Sequence, residues 1–277
     1  MFINNRHDSR LLPKILGLVL LVGMTTCLTP AAGYAFDTAN PPTFQLTLEA
    51  VRNDYQNFYS GHNLLIFSGS LGLAGLMANT SVDEEFQDWY QREMVTATTN
   101  DISAAVQGLG DWRYATPAFL AAVLFGELDA QSPVLASVGE WGRRSCRTLL
   151  LGGPLTFSLQ RIIGASRPGE GDGSKWDPFN DDDGVSGHAF IGAIPFLSAA
   201  GMTQNRVGKA LWYSASVLPA LSRINDDRHY LSQAALGWSI AFLANRSVQQ
   251  TEQERHDVTL LPWPLPEGGG LLVVGRY

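Results

Sequence analysis

The chain has 277 residues, a formal net charge of −7 and 45% apolar residues. That length supports one large domain or two small ones with ample core. The acidic balance argues against a nucleic-acid partner, because phosphate binding is driven by clustered cations.

Arg6, Arg10 and Lys14 form a basic start, followed by the short apolar run "ILGLVLLVGM" and by small residues at Gly33 and Ala35. This pattern predicts a signal peptide over residues 1–35, cleaved before Phe36, with an uncleaved anchor as the lesser alternative. Removing three basic residues and Asp8 takes the charge to about −9. "MTT" before Cys27 is a poor lipoprotein signal, since a small residue is expected there. Cleavage leaves Cys146 alone, which excludes a disulfide framework in an exported chain and reads as a small apolar packing residue. The expected location is the periplasm or cell envelope, with membrane association.

Residues 36–43 read as a Pro-rich linker, residues 44–250 as a helical domain, and residues 251–277 as a tail. Helical spacing of apolar residues marks 62–78, then 81–94 with Ser81 as its cap, then 116–128 and 134–164. Three further helices follow at 187–202, 210–223 and 229–245. The tail alone alternates like strand and predicts a hairpin around Gly268–Gly270. The fold class expected is all-α. The apolar runs are about 10 to 17 residues, short of the roughly 20 that cross a bilayer, so a soluble bundle is preferred to a short-helix integral protein.

The loop "GEGDGSKWDPFNDDDG" (169–184) suggests calcium but fails the ligand pattern at Phe179, and reads as a solvated, flexible loop. Three clusters around it carry the chemistry: Arg167 with Pro168; Ser186, Gly187 and His188; and Arg223, His229 and Gln233. Ser186 and Gly187 open a helix, where free N–H groups suit an anion. Two arginines suit phosphate oxygens. One histidine attacks phosphorus while the other protonates the leaving group. His229 and Gln233 are four residues apart on one helix face, so the Gln233 carbonyl can fix the imidazole tautomer.

These clusters resemble the signature of the type 2 phosphatidic acid phosphatase superfamily, which includes vanadium haloperoxidases and bacterial class A acid phosphatases. The pattern is K-x6-R-P, P-S-G-H and S-R-x5-H-x3-D. Arg167-Pro168, Ser186-Gly187-His188, and Ser222-Arg223 with His229 match it in order and spacing, over residues 159–238. The resemblance implies a helical bundle with the site in its core, and neither metal nor cofactor. It implies a phosphatase with His229 as nucleophile, forming a phosphohistidine, and His188 as general acid. Arg167, Arg223, Ser186 and the Gly187 amide would bind the phosphate of a small molecule or lipid. Three positions depart: Val185 replaces Pro, Gln160 replaces the lysine among the phosphate ligands, and Gln233 replaces the aspartate. A neutral Gln233 cannot stabilise an imidazolium as a carboxylate would. Asp226 and Asp227 are nearby carboxylates without the right spacing. The alternatives are an envelope protein that binds an anionic headgroup without catalysis, and a vanadium haloperoxidase.

Overall fold

The computed structural model describes residues 48–129, 131–265 and 268–275, with side chains to residue 254. The expected signal peptide and linker lie outside the described residues. Ten α-helices make up the domain among the described residues: α1 (Leu48–Phe58), α2 (Gly61–Ala78), α3 (Val82–Glu93), α4 (Ala97–Val106), α5 (Trp112–Leu128), α6 (Pro133–Ile163), α7 (Gly187–Met202), α8 (Arg206–Ser216), α9 (Leu218–Asn225) and α10 (Leu231–Asp257). The domain is all-α, in line with the periodicity.

Local chemistry accounts for most boundaries. Ser60, Asp111, Ser132, Ser186 and Asn205 each accept a backbone N–H at the start of the helix they precede. Thr96 and Thr99 form a reciprocal capping box on α4. Ser81 is a correction: its side chain makes no capping bond, and its backbone is already helical. The expected single helix over 210–223 is two, α8 and α9, because Pro219 cannot continue the ladder and starts a new helix instead. The last helix runs past Asn245 to Asp257. Beyond it, β1 (Val258–Leu265) and β2 (Gly268–Gly275) pair antiparallel, with Leu265 opposite Gly268, so the glycines open the second strand rather than the turn.

The core is centred on α7, in which every residue from Ala189 to Pro195 is buried. Phe190, Ile194 and Leu197 of α7 meet Leu151 of α6 and Leu236, Ile240, Leu243 and Val248 of α10 in one apolar cluster. A helix apolar on all sides must be central, and α7 packs against α6, α8, α9 and α10. The expectation that every apolar run is too short to cross a bilayer fails for α2. It is 18 residues long, lacks Asp, Glu, Lys and Arg, and leaves Leu64, Leu65, Leu73 and Leu76 exposed.

Candidate active site

The first segment of the site leaves the end of α6. Gly164 adopts φ 56°, where a Cβ would lie 2.0 Å from the Asp177 carbonyl oxygen, so the reversal here is open to glycine alone. The chain then extends through buried Ala165 and Ser166 to Arg167, whose extended backbone suits the residue before a proline. The Arg167 N–H donates to Glu170 Oε2 at 2.9 Å and its Nη2 to Asp183 Oδ1 at 2.7 Å. Burial works against the Arg167 charge, but Asp183 outweighs it and raises the guanidinium pKa.

The 169–184 loop is exposed over most of its length, as expected, but it is pinned at several points. Ser174 donates through Oγ to the Ala78 carbonyl, Asp183 is buried, and Ser166 Oγ donates to Asp181 Oδ2 at 2.8 Å. Tertiary partners on α2 and beside Arg167 hold what composition alone marks as loose. Glu170, Asp181 and Asp183 bring carboxylate oxygens within 4.8 Å of one another, as a metal site would. Each carboxylate already accepts from Arg167 or Ser166.

The second segment is the turn into α7. Ser186 Oγ accepts the Ala189 N–H, and the Ser186 N–H donates to the Gln233 carbonyl, which ties this turn to α10. Gly237 of α10 permits the approach, because a Cβ there would lie 2.4 Å from the Ser186 carbonyl oxygen. The amides of Gly187 and His188 open the helix, where the macrodipole favours an anion. Gln160 differs from its expected role among the phosphate ligands: its Nε2 donates to the Val185 carbonyl at 3.0 Å and braces the turn. His188 is exposed at the rim. Surrounding protein and the charges of Arg223, Arg167 and Arg113 lower its pKa, against a weaker pull from Asp111.

The third segment is the turn between α9 and α10. Gln87 and Gln91 of α3 both donate to the Ile224 carbonyl, and Gln87 also donates to Asp227 Oδ1. Asp227 itself sits at φ 57°. Arg223 is buried and donates through Nη2 to Ser222 Oγ and to Asp226 Oδ2 at 2.7 Å. Burial lowers its pKa, with Asp226 opposing. Asp226 and Asp227 are thus engaged with Arg223 and Gln87, away from the imidazole role considered for them. Asp83 of α3 accepts from both the backbone N–H and the hydroxyl of Ser232 and so caps α10.

His229 is buried, with Nδ1 2.9 Å from Gln233 Oε1. The amide orientation follows from its other partners. Gln233 Nε2 donates to the Ser166 carbonyl, and Oε1 accepts the Tyr230 N–H. A carbonyl accepts only and an N–H donates only, so Oε1 must face the imidazole. Nδ1 then carries the proton and Nε2 bears the lone pair. Burial, partly offset by the Gln233 bond and reinforced by Arg167, Arg223 and His188, pushes the His229 pKa down to about 3. The imidazole is therefore neutral across the neutral and mildly acidic range.

Arg167, His188, Arg223 and His229 act on one another's charges, so the three sequence segments converge on one cluster. Within it, Arg167 Nε and Arg223 Nε are buried with no acceptor. Sequence reasoning missed Asp183, Ser166 and Asp83, and named Asp226 only as a carboxylate near His229, not as the partner of Arg223. Only Asp226, three residues beyond Arg223 on the helix end, had a readable signal. A cavity of about 210 Å³ lined by Tyr213, Phe242, Asn245, Arg246 and Gln249 involves none of these residues. No family model matches the chain, and searches of curated proteins and of solved structures give no match.

Proposed function

We propose that the protein is a metal-independent phosphohydrolase of the type 2 phosphatidic acid phosphatase kind, acting on a phosphomonoester or pyrophosphate through a phosphohistidine. The observation that carries this reading is the buried His229, held as the Nδ1–H tautomer by Gln233 beside two arginines whose Nε groups lack acceptors. His229 Nε2 attacks phosphorus, forming an N–P bond as the bond to the leaving oxygen breaks. His188 donates the proton which that oxygen needs. Water then attacks the phosphohistidine, His188 takes a proton from it, and phosphate leaves with His229 restored. Arg167, Arg223, the Ser186 hydroxyl and the Gly187 amide stabilise the equatorial oxygens as charge redistributes.

The basic and apolar start of the chain supports export to the cell envelope. The exposed leucines of α2 and exposed Phe157, whose ring lies near Gly187, favour a lipid-linked substrate or membrane contact. The test is release of phosphate from p-nitrophenyl phosphate in excess chelator by the mature protein and by His229→Ala. Loss of at least about a thousandfold in the variant is expected for removal of a nucleophile. Equal activity would sink the assignment.

A second reading is an envelope protein that binds an anionic headgroup without turnover. The neutral Gln233 behind His229 favours it, because an amide cannot stabilise an imidazolium. Trapping of acid-labile phosphate on His229 would exclude this reading. A vanadium haloperoxidase has less support, since Gln160 braces Val185 where that reading asks for a lysine on vanadate.

A further inference from the structure

We infer that the cluster accepts a phosphoryl group carrying a single negative charge and discriminates against a dianion, an inference that rests on the phosphate-site reading above. The first observation is that its arginines already have carboxylate partners. Arg167 is paired with Asp183 and Arg223 with Asp226, each at 2.7 Å. Arg113, at the His188 rim, is paired with Asp111. The other charges facing the cluster are Glu170, Asp181 and Asp182 from the loop and Arg228 from the turn before α10. Gln160 and Gln233, which brace the cluster, are neutral amides and add no charge to it.

The second observation is independent of the first. Arg167 Nε and Arg223 Nε are buried donors without an acceptor, although both guanidinium charges are largely compensated. An unsatisfied buried N–H calls for an acceptor atom. The ligand these arginines fit supplies oxygens to two such donors while bringing little charge. Desolvation cost rises with the square of the charge, so a dianion loses about four times the hydration of a monoanion. It would meet two arginines, Arg167 and Arg223, whose charges are already paired with carboxylates. A singly charged phosphoryl group keeps the acceptor oxygens and avoids most of that cost. Two sources meet the description: a phosphodiester, and a phosphomonoester protonated once.

The test titrates the mature wild-type protein by calorimetry with three probes at about pH 5 and about pH 8. Dimethyl phosphate stays singly charged and sulfate doubly charged, while inorganic phosphate passes from mostly monoanion to mostly dianion. Expected is roughly a tenfold or greater loss of phosphate affinity at the higher pH, unchanged dimethyl phosphate binding, and weak sulfate binding throughout. The Asp183→Asn, Asp226→Asn double variant, if folded by circular dichroism, gains at least about tenfold in sulfate affinity. Sulfate binding wild-type protein as tightly as dimethyl phosphate, or phosphate binding that strengthens with pH, overturns the inference. Binding of none of the three overturns the phosphate-site reading and this inference with it. The charge rule holds while the proposed reaction fails if probes bind as expected but neither p-nitrophenyl phosphate nor its bis ester is hydrolysed. Turnover of the bis ester at about pH 5 identifies a diester. Turnover of the monoester at about pH 5 without turnover of the bis ester identifies the protonated monoester, and equal monoester turnover at both pH values overturns the inference.

Discussion

Gln233 connects three parts of the site through one amide: the His229 imidazole, the Ser166 carbonyl before Arg167, and the Tyr230 N–H. Its backbone carbonyl adds a fourth, the Ser186 N–H. Replacement by Ala removes the side-chain restraint and leaves two buried backbone groups unpaired, at a cost of about 1–3 kcal/mol each at most. Gln233→Ala should lower kcat about 10- to 1000-fold with a smaller change in KM, because a mis-set tautomer spoils attack more than binding. Steady-state kinetics check this, and a rise in KM with kcat intact would assign Gln233 to substrate binding. The histidines also set a pH profile. His188 must be protonated to act as acid and its pKa is lowered, while His229 must be neutral and titrates at about 3. The kcat profile is therefore expected to be a bell lying wholly on the acid side of neutrality, with its lower limb near pH 3. Stability runs the other way. Native His229 binds its proton only near pH 3, whereas the unfolded chain binds it below about 6.5. The His229 contribution is complete above the unfolded value and is lost as pH falls toward 3, by up to about 1.4 kcal/mol per pH unit. Denaturant titrations of wild type and His229→Gln at pH 7 and at about pH 4 should show the smaller acid loss in the variant.

The three segments meet because of how α7 and α10 begin. Ser186 caps α7, whereas the N-terminus of α10 is capped from 149 residues away by Asp83. Burial pushes the Asp83 carboxyl up, against its two bonds from Ser232. Asp83→Ala should cost about 1–3 kcal/mol as the cap is lost and the Ser232 donors go unpaired, and should lower kcat because α10 anchors His229. Thermal melts and kcat measured together check this; an unchanged kcat in a destabilised variant would show that the cap is structural only. What was legible at this scale was local. Ser186 before an apolar run marks the start of α7 through a bond within four residues, and the His229–Gln233 contact follows from one helical turn. Ser81 looked like an equally good cap and is not one, because the chain is already helical there and the Asp83 carboxylate points across to α10. The partner of Arg167 was hidden for a similar reason. Ion pairing across a 16-residue loop leaves no periodic trace.

Across the whole molecule, the site occupies one end of long helices whose other stretches are bound by charge. Arg147 of α6 makes a two-pronged pair with Asp54 of α1, both buried, and a further bond to the partly buried Glu252 of α10. Arg147 lies 16 residues before the end of α6, which at the helical rise is about 24 Å from Ile163. The two features share α6 and α10 but no side chain, so stability and catalysis should separate. Arg147→Met keeps much of the buried stem but strands the carboxylate of Asp54, which is 1% exposed. Breaking a buried pair by removing one partner costs about 3–5 kcal/mol. Denaturation of the variant should show that loss, while kcat/KM measured well below its melting temperature stays within about threefold of wild type. A proportionate fall in kcat/KM would mean that the position of α10 at the site depends on its tie to α1. In that case the bundle would transmit strain along its length rather than confine it to the broken pair.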